Sequence, residues 1–168
     1  MKKIFLLLAF AGTAAFTSCT SDDDGRVYND SDTISEVIET PPLTFNAAGE
    51  FSKVVEFNGP TYDSDVVLVY RLTTDGNINV WQQIPRTIFL NTGGEVDYDF
   101  NFTEHDVRIF MLSNDLADLN NLPALTNNQV FRIVRVPGYF VNGVDVNNYD
   151  AVMSAITANG NEVPVIEQ

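Results

Sequence analysis

Few residues in this 168-residue chain have the chemistry of a catalytic or metal-binding centre. There is one cysteine, Cys19, and one histidine, His105. His105 lies in the segment Thr103–Asp106 between two predicted strands, so we expect it on an exposed turn rather than in a catalytic triad. A structural zinc site normally needs four ligands, which one histidine and one cysteine cannot supply. Nucleophile-elbow and phosphate-loop motifs are also missing, so the sequence predicts neither an enzyme nor a bound cofactor.

Carboxylates are the abundant chemical groups. The chain has 23 acidic and 9 basic residues, and its net charge of −14 argues against a nucleic-acid partner. A hydrolase that uses an unrecognised pair of carboxylates stays open as an alternative. Calcium binding stays open too, because Asp145–Asp150 and Ser113–Asp115 place aspartates beside asparagines. The same residue types also form turns without any metal.

The first 19 residues have the pattern of an export signal. Lys2 and Lys3 precede the uncharged run Ile4–Phe16, whose 13 residues are fewer than the roughly 20 of a membrane-spanning helix. Small residues then lead to Cys19. We therefore predict a signal peptide over residues 1–18. A lone thiol would be unusual in an oxidising compartment unless it is modified.

The sequence Phe16-Thr17-Ser18-Cys19 resembles the lipobox of bacterial lipoprotein precursors. This resemblance implies that Cys19 is acylated and that its lipid chains anchor the protein to a membrane leaflet. The residues Ser21, Asp22, Asp23 and Asp24 look like the surface-export signal of Bacteroidota lipoproteins. The implied location is the outer membrane, facing the cell exterior. Asp32-Thr33-Ile34 is similar to the O-glycosylation site of the same phylum.

Three further segments resemble small surface lipoproteins of the Flavobacterium type, whose function is unknown. They are Trp81–Pro85, Val96–Phe100 and Val130–Gly138. Members of that group sometimes carry the name dihydrolipoamide dehydrogenase. Such an enzyme would need two redox cysteines and a flavin-binding fold, and the chain has a single cysteine, so we reject that activity.

The body of the chain has the pattern of β-structure. Gly94–Phe102 alternates apolar and polar residues, and Asp65–Leu72 places Val66, Leu68, Tyr70 and Leu72 on one face. This period of two predicts one face on a core and the other in water. Turn signals stand at Asp75-Gly76 and Thr92–Gly94. The other predicted strands are Ile34–Glu39, Leu43–Ala47, Phe51–Phe57, Ile78–Gln82, Arg86–Leu90, Val107–Leu112 and Val130–Val136.

Two segments depart from this pattern. Ser113–Asn128 carries regularly spaced leucines and Pro123, and it predicts a long crossover with one helical turn. The apolar residues between Tyr149 and Ile156 have helical spacing, with Asn147 or Asn148 as the cap. The predicted fold is an all-β, immunoglobulin-like antiparallel sandwich with a short C-terminal helix. Residues 19–32 are interpreted as an acidic tether and residues 33–168 as one domain.

The sequence thus predicts a lipid-anchored, non-enzymatic interaction or binding module. Its membrane contact is the lipid on Cys19, and its partner is a surface protein or a glycan. Without residues 1–18 the chain has 7 bases and 23 acids, a net charge of −16 that favours cations or basic partners. A glycan-binding module is an alternative, because Trp81 lies beside Asn79 and Gln83 on a half-polar face. Packing against the sheet is the favoured interpretation of Trp81.

Overall fold

Nine strands and two α-helices form the part of the chain that the computed structural model describes, which is residues 35–115, 119–138, 140 and 143–158 and the backbone of 165–167. The predicted sites at Cys19, Ser21, Asp22, Asp23, Asp24 and Thr33 lie outside the described residues. The strands are β1 (Glu36–Glu39), β2 (Ser52–Glu56), β3 (Val66–Asp75), β4 (Ile78–Ile84), β5 (Arg86–Phe89), β6 (Glu95–Phe102), β7 (Asp106–Ser113), β8 (Phe131–Val136) and β9 (Val165–Glu167). The helices are α1 (Pro123–Thr126) and α2 (Tyr149–Ala158).

The strands form two sheets. One has the order β4-β3-β8-β1-β9 and the other has the order β2-β7-β6-β5. Strand β9 pairs with β1 in parallel, and the other described strand pairs are antiparallel. The predicted all-β sandwich with a short C-terminal helix is confirmed, and its immunoglobulin-like character stays a prediction. Strand β9 was not predicted.

The main core lies between the two sheets. The five-stranded sheet contributes inward side chains such as Val69 and Ile133, and the other sheet contributes Val96 and Ile109, all four with no exposed surface. The centre of the Phe131 ring lies 5.8 Å from that of Phe45 and 6.1 Å from that of Tyr98, in the range of aromatic ring packing. The alternation predicted for Gly94–Phe102 therefore places Val96 and Tyr98 in this core, as expected.

Helix α2 covers the outer face of the five-stranded sheet. Its buried residues Val152 and Ile156 pack with Leu68, Tyr70 and Val134 in a second core. The predicted amphipathic helix is confirmed, and Asn148 is its cap, since its side-chain oxygen accepts a hydrogen bond from the Ala151 N–H at 3.1 Å. The prediction of a water-facing side is wrong for β3: both of its faces are buried, because a helix covers one and the second sheet covers the other.

The segment Leu43–Ala47 is not a strand, contrary to prediction. Leu43 makes one isolated bridge to Gln129, and residues Ala47–Gly49 form a 3-10 turn capped by Asn46. Phe45 is 2% exposed and packs as a single buried residue of an irregular segment. The alternation of apolar residues here arises from burial at separate points rather than from strand pairing.

The turns follow the predicted signals. Gly76 has a φ of 63°, which suits the two-residue connection between β3 and β4. Gly138 allows two segments to approach closely, because an added Cβ would lie 2.2 Å from the Ser64 carbonyl oxygen. The described part of the crossover contains a predicted short helical turn, α1.

Within the described residues, no helix combines the length and the apolar character that crossing a membrane requires.

Candidate functional site

The sandwich has an open side where β4 and β5 lie. These strands are the edge strands of the two sheets, and Pro85 alone connects them, after a cis peptide bond. The space beside them forms a cleft of about 710 Å³. Its walls come from β3, β4 and β5 and from the segment Ala124–Gln129 around α1. A volume of this size lies within the range of small-molecule binding sites.

The lining of this cleft combines polar and apolar residues. Besides Arg71, Arg86 and Gln129, the lining residues are Thr73, Thr74, Gln82, Thr87, Asn128, Leu72, Ile88, Phe89, Ala124 and Leu125. Phe89 is 78% exposed, so its ring is accessible to a ligand. Hydroxyl and amide groups can both donate and accept hydrogen bonds, which suits a hydroxylated or amide-bearing ligand.

Arg71 is the unusual residue of this cleft. It follows Val67 and Val69 at a spacing of two on β3, so it occupies the face that points into the sandwich. The side chain is buried, with 8% of the residue exposed. Burial lowers the pKa of its guanidinium, and the neighbouring Tyr98 opposes that effect. An arginine retained at a core position carries a desolvation cost that a stable fold does not require.

Gln129 and Tyr98 hold the Arg71 guanidinium in place. The Nε and Nη2 groups of Arg71 donate to Gln129 Oε1 at 2.8 and 2.6 Å. Gln129 is itself fixed, because its Nε2 donates to the backbone oxygens of Ala124 and Asn127 at 3.1 and 2.6 Å. The Arg71 Cζ atom lies 4.5 Å from the centre of the Tyr98 ring, within the range of a cation–π contact. The guanidinium plane is therefore set before any ligand arrives.

Tyr98 is fixed as well. Its hydroxyl donates a hydrogen bond to the Leu125 carbonyl oxygen, which joins β6 to the segment around α1. Burial raises the pKa of Tyr98 to about 12, and the nearby Arg71 charge reduces that increase. Tyr98 is thus a neutral hydrogen-bond donor at physiological pH rather than a base.

The two cleft arginines differ from the others in their charge partners. Arg132, Arg135 and Arg108 have carboxylate partners at 2.6, 2.9 and 3.9 Å. Among the described residues, no carboxylate lies within ion-pairing distance of Arg71 or Arg86. None of the residues that line the cleft is acidic. The cleft is therefore cationic in a chain of net charge −14, opposite to the preference that the overall charge predicts.

The predicted exposed turn at His105 is confirmed. Its side chain is 70% exposed and lies 2.8 Å from the Glu104 carboxylate. His105 and the cleft arginines lie on separate elements, and His105 does not line the cleft. The hydrolase alternative requires a cleft with a desolvated carboxylate, and the described lining of this cleft has no carboxylate to supply it.

The asparagine-rich segments use their oxygens locally. Asp145 Oδ1 accepts a hydrogen bond from the Asn147 N–H at 3.0 Å, and Asn148 caps α2. Across the described part of the chain, no group of three or more histidine, cysteine, aspartate or glutamate side chains is arranged to hold a metal ion. The turn-forming interpretation accounts for these contacts.

Trp81 packs against the outer face of the five-stranded sheet, as favoured from the sequence. Its ring lies 4.2 Å from the Arg132 Cζ atom, and Arg132 also binds Glu39 and the Tyr149 hydroxyl. Phe140 packs beside the second core, and its neighbour Tyr139 lies outside the described residues. These aromatic rings do not line the cleft.

Arg71 and Gln129 were not identified from the sequence. The signal for Arg71 was its spacing of two from Val67 and Val69, which places a charge on a buried face. No comparable signal exists for Gln129, because it lies 58 residues away and meets Arg71 only through the pairing of β3 with β8.

Comparisons with known proteins found no significant match to the chain among protein-family models, curated proteins or solved structures.

Proposed function

We propose that the protein is a lipid-anchored binding module of the outer bacterial surface, and that it holds its ligand in the cleft beside β4 and β5. The cleft is the observation that carries the binding role. It has the volume of a ligand site, a polar lining and a pre-positioned arginine, and its described lining has no carboxylate, histidine or cysteine.

The location rests on the sequence of the first 24 residues. A charged start, an apolar run and Cys19 follow one another in the order of a lipoprotein signal, and Ser21 to Asp24 follow Cys19 after one residue, Thr20. Two or three acyl chains on Cys19 would bind a leaflet firmly, because each buried methylene contributes about 0.8 kcal/mol. A binding cleft on such an anchor would face molecules outside the cell.

Mass spectrometry of the protein from its native membrane tests the anchor. We expect removal of residues 1–18 and a mass increase of the Cys19 peptide that corresponds to acyl chains. The Cys19→Ala variant should lose the membrane attachment. An unmodified thiol in wild-type protein would contradict the anchor. Digestion of intact cells with an external protease tests the orientation: surface protein is cleaved, and a protein on the inner leaflet is protected.

Ligand arrays test the binding role. We would probe the full-length protein in detergent against glycan and peptide arrays, together with Thr73→Trp, which fills the cleft, and Thr157→Trp, which adds the same ring to the exposed side of α2. We expect Thr73→Trp to lose the ligands that wild type and Thr157→Trp retain. Retention of those ligands by Thr73→Trp would place binding elsewhere, and the absence of any ligand on both arrays would contradict a binding role.

A further inference from the structure

The charge of the cleft indicates the chemical class of its ligand more specifically than the shape of the cleft does. Arg71 is a buried cation without a described carboxylate partner, whereas three of the other described arginines have one. A buried charge without an opposite charge is unfavourable, and an anion that enters the site would reverse that cost. The rim adds a second cation, because Arg86 also lines the cleft and is exposed.

The geometry of Arg71 suits a planar or tetrahedral oxyanion. A guanidinium has five N–H donors in a fixed fork, and Gln129 accepts from two of the nitrogen groups. N–H donors remain even when the neighbouring Tyr98 oxygen is counted as a further acceptor. Because Gln129 and the Tyr98 ring fix the guanidinium plane, little side-chain entropy is lost when those donors bind a ligand. Thr73 lines the same cleft, and a threonine hydroxyl can add a neutral hydrogen bond.

We propose that the cleft recognises the anionic group of its ligand, a carboxylate or a sulfate, and that Arg71 is the residue that binds this group. The proposal deepens the binding role given above and depends on it. Anion binding would also distinguish the cleft from the rest of the surface, because the chain is acidic and its surface repels anions. The contrast makes anion binding at this position selective, because a ligand with one negative group finds few other cations on the described surface.

Titration with simple anions tests this proposal on full-length protein in detergent. Sodium acetate and sodium sulfate are added at constant ionic strength against sodium chloride, and the Arg71 Nε–Hε signal and the backbone amide signals of the cleft are followed by NMR. We expect a saturable shift of this signal with at least one of the two anions, at millimolar affinity. The relative size of the acetate and sulfate responses distinguishes a carboxylate ligand from a sulfated one.

The control variants are Arg71→Met and Arg108→Met. Arg108 is a half-exposed arginine on the outer face of the other sheet, so its loss removes one positive charge outside the cleft. We expect saturable shifts of the cleft amides in Arg108→Met and none in Arg71→Met. The proposal is overturned if neither anion gives a saturable shift at Arg71, or if Arg71→Met responds like wild type. In that case ligands from the arrays that Thr73→Trp loses would still support the binding role.

Discussion

Replacing Arg71 by methionine should leave the fold nearly as stable as wild type. The charged side chain gains two hydrogen bonds to Gln129, each worth about 1.5–3 kcal/mol, and a cation–π contact worth about 0.5–2 kcal/mol. The buried charge loses several kcal/mol of hydration, so these terms largely cancel. Methionine keeps most of the apolar volume, and Gln129 lines the cleft, so a water molecule there can replace the lost donors. We expect a change in the free energy of unfolding within about 1 kcal/mol.

Arg132→Met is the matched comparison. Arg132 lies on the opposite face of the same sheet, pairs with Glu39 at 2.6 Å and stacks on Trp81. Removing it leaves a partly buried carboxylate without its cation, so we expect a loss of about 2–3 kcal/mol. Urea unfolding followed by the fluorescence of Trp81, the single tryptophan, measures both variants. If Arg71→Met loses as much stability as Arg132→Met, Arg71 stabilises the fold and the reasoning for a ligand-binding arginine is refuted.

Three further predictions concern the scaffold of the site. Burial raises the pKa of Tyr98 to about 12 from 10.0. The stability that this residue contributes is therefore complete below pH 10 and is lost as the pH rises from 10 to 12. In an ultraviolet titration, Tyr98→Phe should have one fewer tyrosine that ionises near pH 12 than wild type. Gly138→Ala should destabilise the protein by about 1–3 kcal/mol, because the new Cβ would lie 2.2 Å from a backbone oxygen. In Gly94→Ala the nearest atom to the new Cβ is 3.5 Å away, so this variant should have nearly the same free energy of unfolding in urea as wild type. Asn148→Ala should cost about 1 kcal/mol through loss of the α2 cap, and Asn147→Ala, which lacks that bond, should cost little by the same measurement; equal losses would contradict the assigned cap.

The sequence was most informative where a local pattern decides the structure. The alternation in Gly94–Phe102 predicted β6. The pair Asp75-Gly76 predicted the turn in which Gly76 has a positive φ. The pattern failed where burial depends on distant segments. Both faces of β3 are covered because α2, some 80 residues further along the chain, packs on one of them. The single-face rule describes a sheet with one covered side, so it could not anticipate this second layer.

The candidate site was the part that sequence reasoning missed. The cleft lining is cationic while the chain has a net charge of −14, so the charge of this site could not be read from the composition. The site is formed when β3, β5 and the segment near Gln129 come together, and these are separated by long stretches of sequence. Arg71 could have been noticed by its position on a buried face, but its partner and its cleft exist only in the folded chain.

The central claim is that the cleft binds a ligand through Arg71. The most direct test is the affinity of an array-identified cleft ligand for wild-type protein and for Arg71→Met at equal folded fraction. Loss of a charge-assisted hydrogen bond corresponds to about 1.5–3 kcal/mol, so we predict that Arg71→Met binds this ligand at least roughly tenfold more weakly, while Arg108→Met binds it like wild type. An equal affinity in folded Arg71→Met and wild type would contradict the account.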